Sequence, residues 1–190
     1  MPTDTKTALL DSAERAARTL GFDGFSYADL AEDVGIRKAS IHHHFPSKAK
    51  LSVELMQRYF DKFETMYNEF QASSSSGGVQ LSTVIDNYRA GLDGGKSLCL
   101  CVSFTASRES LPPEVSQLVR RFRTMIIGWL EDAFRMGHSD GTITHVQDPT
   151  QEAAAALSLF EGAQLSARAQ EDIALFDNAV LLLKSRIIQN

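Results

Sequence analysis

The chain has 190 residues, 43% of them hydrophobic, and a formal net charge of −5 from 19 basic and 24 acidic side chains. That length can bury a sizeable core, and no run approaches the ~20 apolar residues that a membrane-spanning helix needs. Acids interrupt the apolar residues of the opening MPTDTKTALLDSAERAARTL, so a cytoplasmic protein without a secretory signal is expected, and two cysteines argue against a disulfide scaffold.

Helical periodicity runs through the chain with no competing β pattern and no internal repeat, which predicts an all-α fold. The first helix is expected over Thr5 to Leu20, burying Leu9, Ala13, Ala16 and Leu20. Ser26 and Asp29 then have the spacing of a capping box, so a second helix should start at Tyr27. Leu30, Ala31 and Val34 give it an apolar stripe, and Gly35 suits the left-handed position that ends it. Ile41 and Phe45, four apart, pin a third helix to the same core before Pro46 stops it. Two short helices around a glycine turn, followed by a longer one, make the layout of a DNA-reading helix-turn-helix.

Stepping about 100° per residue from the inward pair, Ala39 and His43 point outward, with Ser40 and His42 beside them. Arg37 and Lys38 lie at the amino-terminal end of this helix, where side chains reach bases or phosphates. From Val34 to Val53 the charged residues are Arg37, Lys38, Lys48 and Lys50, all cations. Residues 1–50 carry seven basic and seven acidic side chains, and 51–190 twelve and seventeen. The acid excess therefore belongs to the second part, and the field beyond the turn should be positive. His42, His43 and His44 diverge too far on a helix to share one metal ion, which would want ligands spaced i, i+4.

Over Thr5 to Leu55 the chain resembles the amino-terminal domain of the tetracycline-repressor (TetR/AcrR) family of bacterial transcriptional regulators. The features that carry the likeness are the opening amphipathic helix, Gly21 with Phe25-Ser26, the block Leu30-Ala31-x-x-Val34-Gly35, and Ser40-Ile41-x-x-His44-Phe45-x-x-Lys48 leading into Leu51. The resemblance implies that Lys38, Ala39, Ser40, His42 and His43 face the major groove. It also implies that Lys48 and the Ser26-Tyr27 helix start hold phosphates. The chain departs from the family pattern at His42, where tyrosine is common, and at Arg37, where a small hydroxyl cap is common.

A fourth helix is expected from Lys48 to about Gln71, with Leu51, Leu55, Tyr59, Phe63, Met66 and Phe70 on one stripe, joining a head at 1–50 to an effector-binding and dimerising body at 51–190. Ser73 to Gly78, SSSSGG, reads as a flexible break. Further helices are predicted over Val79–Leu92, Lys96–Ser107, Pro113–Gly137, Pro149–Gln170 and Asp172–Ile188. The aromatic and methionine content, together with the resemblance to small-molecule sensors, suggests an apolar effector pocket. Its candidate lining is Phe63, Met66, Phe70, Tyr88, Cys101, Phe104, Met125, Trp129, Phe160 and Gln164, with Tyr88, Arg89, Glu161 or Gln164 as polar anchors.

The last two helices carry the stripes Ala156, Phe160, Ala163, Ala167 and Phe176, Val180, Leu183, Ile187, read as the interface of a homodimer. Cys99 and Cys101 point about 200° apart on a helix, so no bridge is expected between them. They are either small buried hydrophobes or, alternatively, an electrophile- or redox-sensing thiol. No Gly-x-Ser-x-Gly or His-Glu-x-x-His motif is present, and neither an enzyme nor a cofactor is expected. The combined expectation is a dimeric repressor that binds palindromic operator DNA and releases it when a small apolar effector enters the body.

Overall fold

The computed structural model describes residues 4–73 and 76–188, so Ser74 and Ser75 of the expected flexible break lie outside the described residues. The helices are α1 (Thr5–Leu20), α2 (Tyr27–Val34), α3 (Lys38–His44), α4 (Lys48–Ser73), α5 (Gly77–Gly91), α6 (Leu100–Ala106), α7 (Pro113–Asp140), α8 (Pro149–Gln170) and α9 (Ala174–Lys184). The chain groups into two compact units, one of residues 1–62 with 100–122, the other of 63–99 with 123–190. The division falls within α4, after Lys62, and the first unit takes in α6 and the start of α7.

In the first unit α1 buries Leu9, Leu10, Ala13 and Ala17. Leu20, expected inside, is 61% exposed, because the chain turns away at Gly21, whose φ is +83°. Ion pairs tie α1 to α4: Arg58 donates to Asp11 (2.6 Å) and Glu14 (3.0 Å), and Lys6 meets Glu54 (2.5 Å). The Ser103 hydroxyl of α6 donates to the Ala17 carbonyl, and Phe104 sets its edge on Phe22 with ring centres 5.8 Å apart. Val115 and Phe122 of α7 are buried in the same unit.

In the second unit α5 begins two residues earlier than expected. Gly77 and Gly78 open the helix rather than a linker, because their amides donate to the Asp140 carboxylate (2.9 Å) and the Thr142 hydroxyl (2.8 Å). A Cβ on Gly77 would lie 2.1 Å from the Gly137 nitrogen, so only glycine permits this approach of α5 to α7. The expected helix over Lys96–Ser107 is shorter and forms α6 from Leu100, since Asp93–Gly95 makes a 3-10 turn with all three residues at positive φ. The last helix is also shorter than Asp172–Ile188. The Asp172 carboxylate caps Ala174, and beyond Lys184 the chain pairs antiparallel with residues 142–144, Thr144 donating to the Arg186 carbonyl (2.9 Å).

Candidate nucleic-acid interface and ligand cleft

The local chemistry of the turn follows the sequence closely. The Ser26 amide donates to the Asp29 carboxylate (2.7 Å) and the Ala28 amide to the Ser26 hydroxyl (3.2 Å), closing the capping box. The Ser26 hydroxyl, donating to Asp29 at 2.8 Å, and then the Ser26 amide hold the Asp29 carboxyl below its ordinary range. Gly35 ends α2 in the left-handed conformation at φ +73°. The Ile41 and Phe45 side chains are wholly buried. With that pair inward, Lys38, Ala39, Ser40, His42 and His43 are all exposed, as is Arg37. Arg37 holds the N-cap position of α3 without a side-chain cap, so its guanidinium is not spent on the helix end.

Two of the expected phosphate contacts are turned inward instead. The Tyr27 ring is buried and its hydroxyl donates to the Phe45 carbonyl (2.9 Å), locking α2 to the end of α3, while burial pushes the phenol up to about 12. The Lys48 ammonium donates to the Phe25 carbonyl (2.5 Å) and lies 4.1 Å from the centre of the Phe25 ring and 4.8 Å from that of Phe22. Burial pulls this lysine below its ordinary value against the opposing pull of Asp23 and Asp29. Both side chains fasten the unit together because each has an aromatic or carbonyl neighbour at the base of the turn. Ser26 stays exposed at the helix start, and Lys50, which sequence reasoning left out of the contact set, is exposed in the first turn of α4.

The departures from the family pattern are also resolved locally. His42 packs edge-on against Tyr27, with ring centres 5.0 Å apart, and its Nδ1 stands 3.4 Å from the Pro46 carbonyl. An imidazole thereby sits over the buried phenol at the outer corner of α3. His43 contacts the His44 ring at 5.8 Å. No group of three metal-ligating side chains occurs among the described residues.

Residues 9–55, which build α1 to the start of α4, match the model of the bacterial regulatory proteins of the tetR family. A solved TetR-family transcriptional regulator from Agrobacterium tumefaciens superposes with a TM-score of 0.90 at 29% identity, covering 100% of both chains. Residues 9–55 thus form a TetR-family domain. Among curated TetR-family relatives, the HTH-type transcriptional repressor NemR of Escherichia coli is 24% identical over 97% of this chain and 94% of its own length. The HTH-type transcriptional repressor KstR2 of Rhodococcus jostii is 26% identical over 70% of this chain and 66% of its own. No helix of the described residues is long and apolar enough to cross a membrane.

The ten residues expected to line a pocket do not form one wall. Phe70 and Trp129 border a cleft of about 10 Å³ with Tyr67, Gln71, Gln80 and Val84, and Phe63 stacks on Tyr67. Phe160 is wholly buried between Tyr88 and Phe176. Gln164 is fully buried too, its carbonyl accepting from the Cys99 amide (2.6 Å) and its amide donating to the Phe160 carbonyl (3.3 Å). Cys101 and Phe104 are buried in the first unit, and Met66 and Met125 are half-buried in the second. The other anchors suggested from sequence are engaged as well: Arg89 makes a two-pronged pair with Asp177 (2.7 and 2.8 Å), and Glu161 pairs with Arg123. Tyr67, overlooked in the sequence, lies one turn beyond Phe63 and one before Phe70, a spacing that could have found it.

The stripe read as a dimer surface is instead interior. Ala156, Phe160, Ala163 and Ala167 of α8 and Phe176, Val180 and Leu183 of α9 are buried against one another's helices and their neighbours, and Ile187 leaves the helix to pair with Ile143. The outward side holds Leu165 of α8 and Leu181 and Leu182 of α9, exposed by 49%, 56% and 69%. Cys99 and Cys101 form no disulfide and both are buried.

Proposed function

We propose that this chain is a transcriptional repressor whose head, residues 1–50, reads operator DNA through α3. The observation that carries the proposal is the acid-free outer face of α3, where Arg37, Lys38, Ala39, Ser40, His42 and His43 stand exposed on a turn held by buried Ile41 and Phe45. A short helix presenting small residues, imidazoles and cations suits the major groove, with the small side chains allowing close approach to base edges. Lys50 adds a phosphate contact from α4, in place of the inward-turned Lys48.

The repressor acts as a homodimer, since a two-fold protein matches a palindromic operator with half-sites about one helical turn, roughly 34 Å, apart. Leu165, Leu181 and Leu182 form the apolar centre of the proposed interface, and Gly162, whose added Cβ would meet nothing within 4 Å, leaves room for a second copy to approach. A small apolar effector binds the body and favours a state with weaker operator affinity, carried by α4, one unbroken helix from Lys48 to Ser73.

A gel shift with the DNA flanking the protein's own gene tests the reading. A shift that weakens steeply with salt and competes poorly with random DNA is expected. No shift at low salt would overturn it. An interaction domain for proteins alone would give that result.

A further inference from the structure

Arg89, Glu161 and Gln164, first considered as effector anchors, already have partners inside the second unit, but one buried hydroxyl does not. The Tyr67 hydroxyl meets no hydrogen-bond partner among the described residues, although the side chain is only 3% exposed. The Asn87 side chain acts on the phenol as a hydrogen-bond donor, the sense that lowers its pKa, so the O–H itself is still left without an acceptor. Burial drives that phenol well above its ordinary value, so it stays a neutral O–H donor. Phenylalanine would fill the same ring site without burying an unmet donor.

The surroundings narrow what would satisfy it. The Tyr67 and Trp129 rings pack with centres 4.3 Å apart, Phe63 stacks on the other side at 6.1 Å, and Phe70 and Val84 complete the apolar walls of the cleft. Each of the two glutamines there already uses one amide N–H: Gln71 donates to Asp132 (3.3 Å) and Gln80 to the Met136 sulfur (3.6 Å). No cationic side chain lines the cleft, and Asp132 lies behind Gln71, which disfavours an anion. The cleft volume of about 10 Å³ suits a single water, so a larger molecule must displace the half-buried Phe70, Gln71 or Trp129 side chains.

We infer that the Tyr67 hydroxyl is the polar anchor of a ligand site between α4, α5 and α7, and that its ligand is a neutral, flat, mainly apolar molecule carrying a hydrogen-bond acceptor such as a ketone oxygen. The inference rests on the proposed effector control and specifies the chemistry of that site. Ligand carbonyl and phenol pair while the ligand's ring replaces part of the aromatic packing around Trp129.

Trp129 is the chain's one tryptophan, so its fluorescence reports this cleft directly. The full chain is titrated with acetophenone and benzophenone as probes, and with cumene as a match for acetophenone that lacks the acceptor. Saturable quenching by the ketones is expected, with Tyr67→Phe weakening ketone binding about fivefold, the worth of one neutral hydrogen bond, and leaving cumene binding as it was. The melting temperature of Tyr67→Phe should be no lower than that of the wild type. Equal ketone affinity in both proteins, a melting temperature lowered by several degrees in the variant, or no saturable quenching by either ketone, as when a buried water alone meets the hydroxyl, would each overturn the inference. A gel shift with the same ketones separates the two readings. Tyr67-dependent binding that leaves DNA bound keeps the site and removes effector release, whereas equal release from wild type and variant keeps effector release and removes the site.

Discussion

Helices α3 and α8 were both assigned an outward face from their sequences, and only α3 presents the face assigned to it. The difference lies in how many sides of each helix are apolar. In α3 the large apolar residues reduce to Ile41, backed by Phe45 just beyond the helix end, so one direction is inward and the rest follows by rotation. In α8 both sides are made of small or apolar residues: Ala153, Ala156, Leu157, Phe160 and Ala163 are buried, while Ala154, Ala155, Gly162, Leu165 and Ala169 are exposed. With Ser158 and Ser166 exposed among these and Gln164 buried, polarity marks the solvent side of such a helix only weakly. The stripe with the larger residues, centred on Phe160, went to the subunit's own core, where burial of an aromatic ring stabilises most.

That contrast is broken most sharply by a pair of substitutions on α8 and α9. Phe160→Ala should destabilise the fold by about 3–5 kcal/mol, read in denaturant, because a fully buried ring leaves a cavity. Leu182→Glu, on the exposed side, should leave the folded subunit's helicity intact and shift sedimentation from dimer to monomer. Should Phe160→Ala dissociate a dimer without loss of subunit stability, the inner stripe would be the interface after all.

The α3 side of the comparison has a smaller but more specific test. His43→Ala should relax base preference at one position in each half-site, at a cost of about 1–3 kcal/mol of discrimination, measured by competition among operator variants. Equal losses on operator and random DNA would put His43 on a phosphate. Between the two lysines the expected effects diverge. Lys38→Ala should flatten the salt dependence of binding by about one counterion, whereas Lys48→Ala should lower stability by about 1–2 kcal/mol through its lost carbonyl bond and ring contacts and leave the salt slope unchanged.

The smallest effect is one of pH, read in the head. Asp33 is held below its ordinary range by the Ser12 hydroxyl and then by Arg15, which donates to it at 2.6 Å, and Asp29 is held low by Ser26. A carboxyl whose folded value is depressed favours the folded state above its unfolded value, near 4, and that contribution disappears as pH falls through the folded value. The melting-temperature gap between wild type and Asp33→Asn should therefore be present at neutral pH and close in acid. A gap that widens in acid would show that the carboxylate is not what Ser12 and Arg15 hold.

Much of the head was legible because its signals are local. The Ser26–Asp29 box, the left-handed Gly35 and the Ile41–Phe45 pair act within one or two turns, so spacing alone predicted α2, the turn and the outward residues of α3. Tyr27 and Lys48 escaped it because their partners, the Phe45 and Phe25 carbonyls, lie 18 and 23 residues away in sequence. The start of α5 escaped for the same reason: Gly77 and Gly78 look like a linker until Asp140 and Thr142 supply their caps.

The amino-acid sequence by itself determined the all-helical class, the turn, the face that α3 presents and the uneven division of charge, since each depends on periodicity or on neighbours along the chain. Only the tertiary structure decided which side of α8 and α9 is core, which cations fasten the head rather than face outward, and which buried polar group is left without a partner. Those outcomes depend on long-range competition for burial and hydrogen bonds, in which a side chain goes to whichever distant carbonyl, ring or cavity the assembled helices bring within reach.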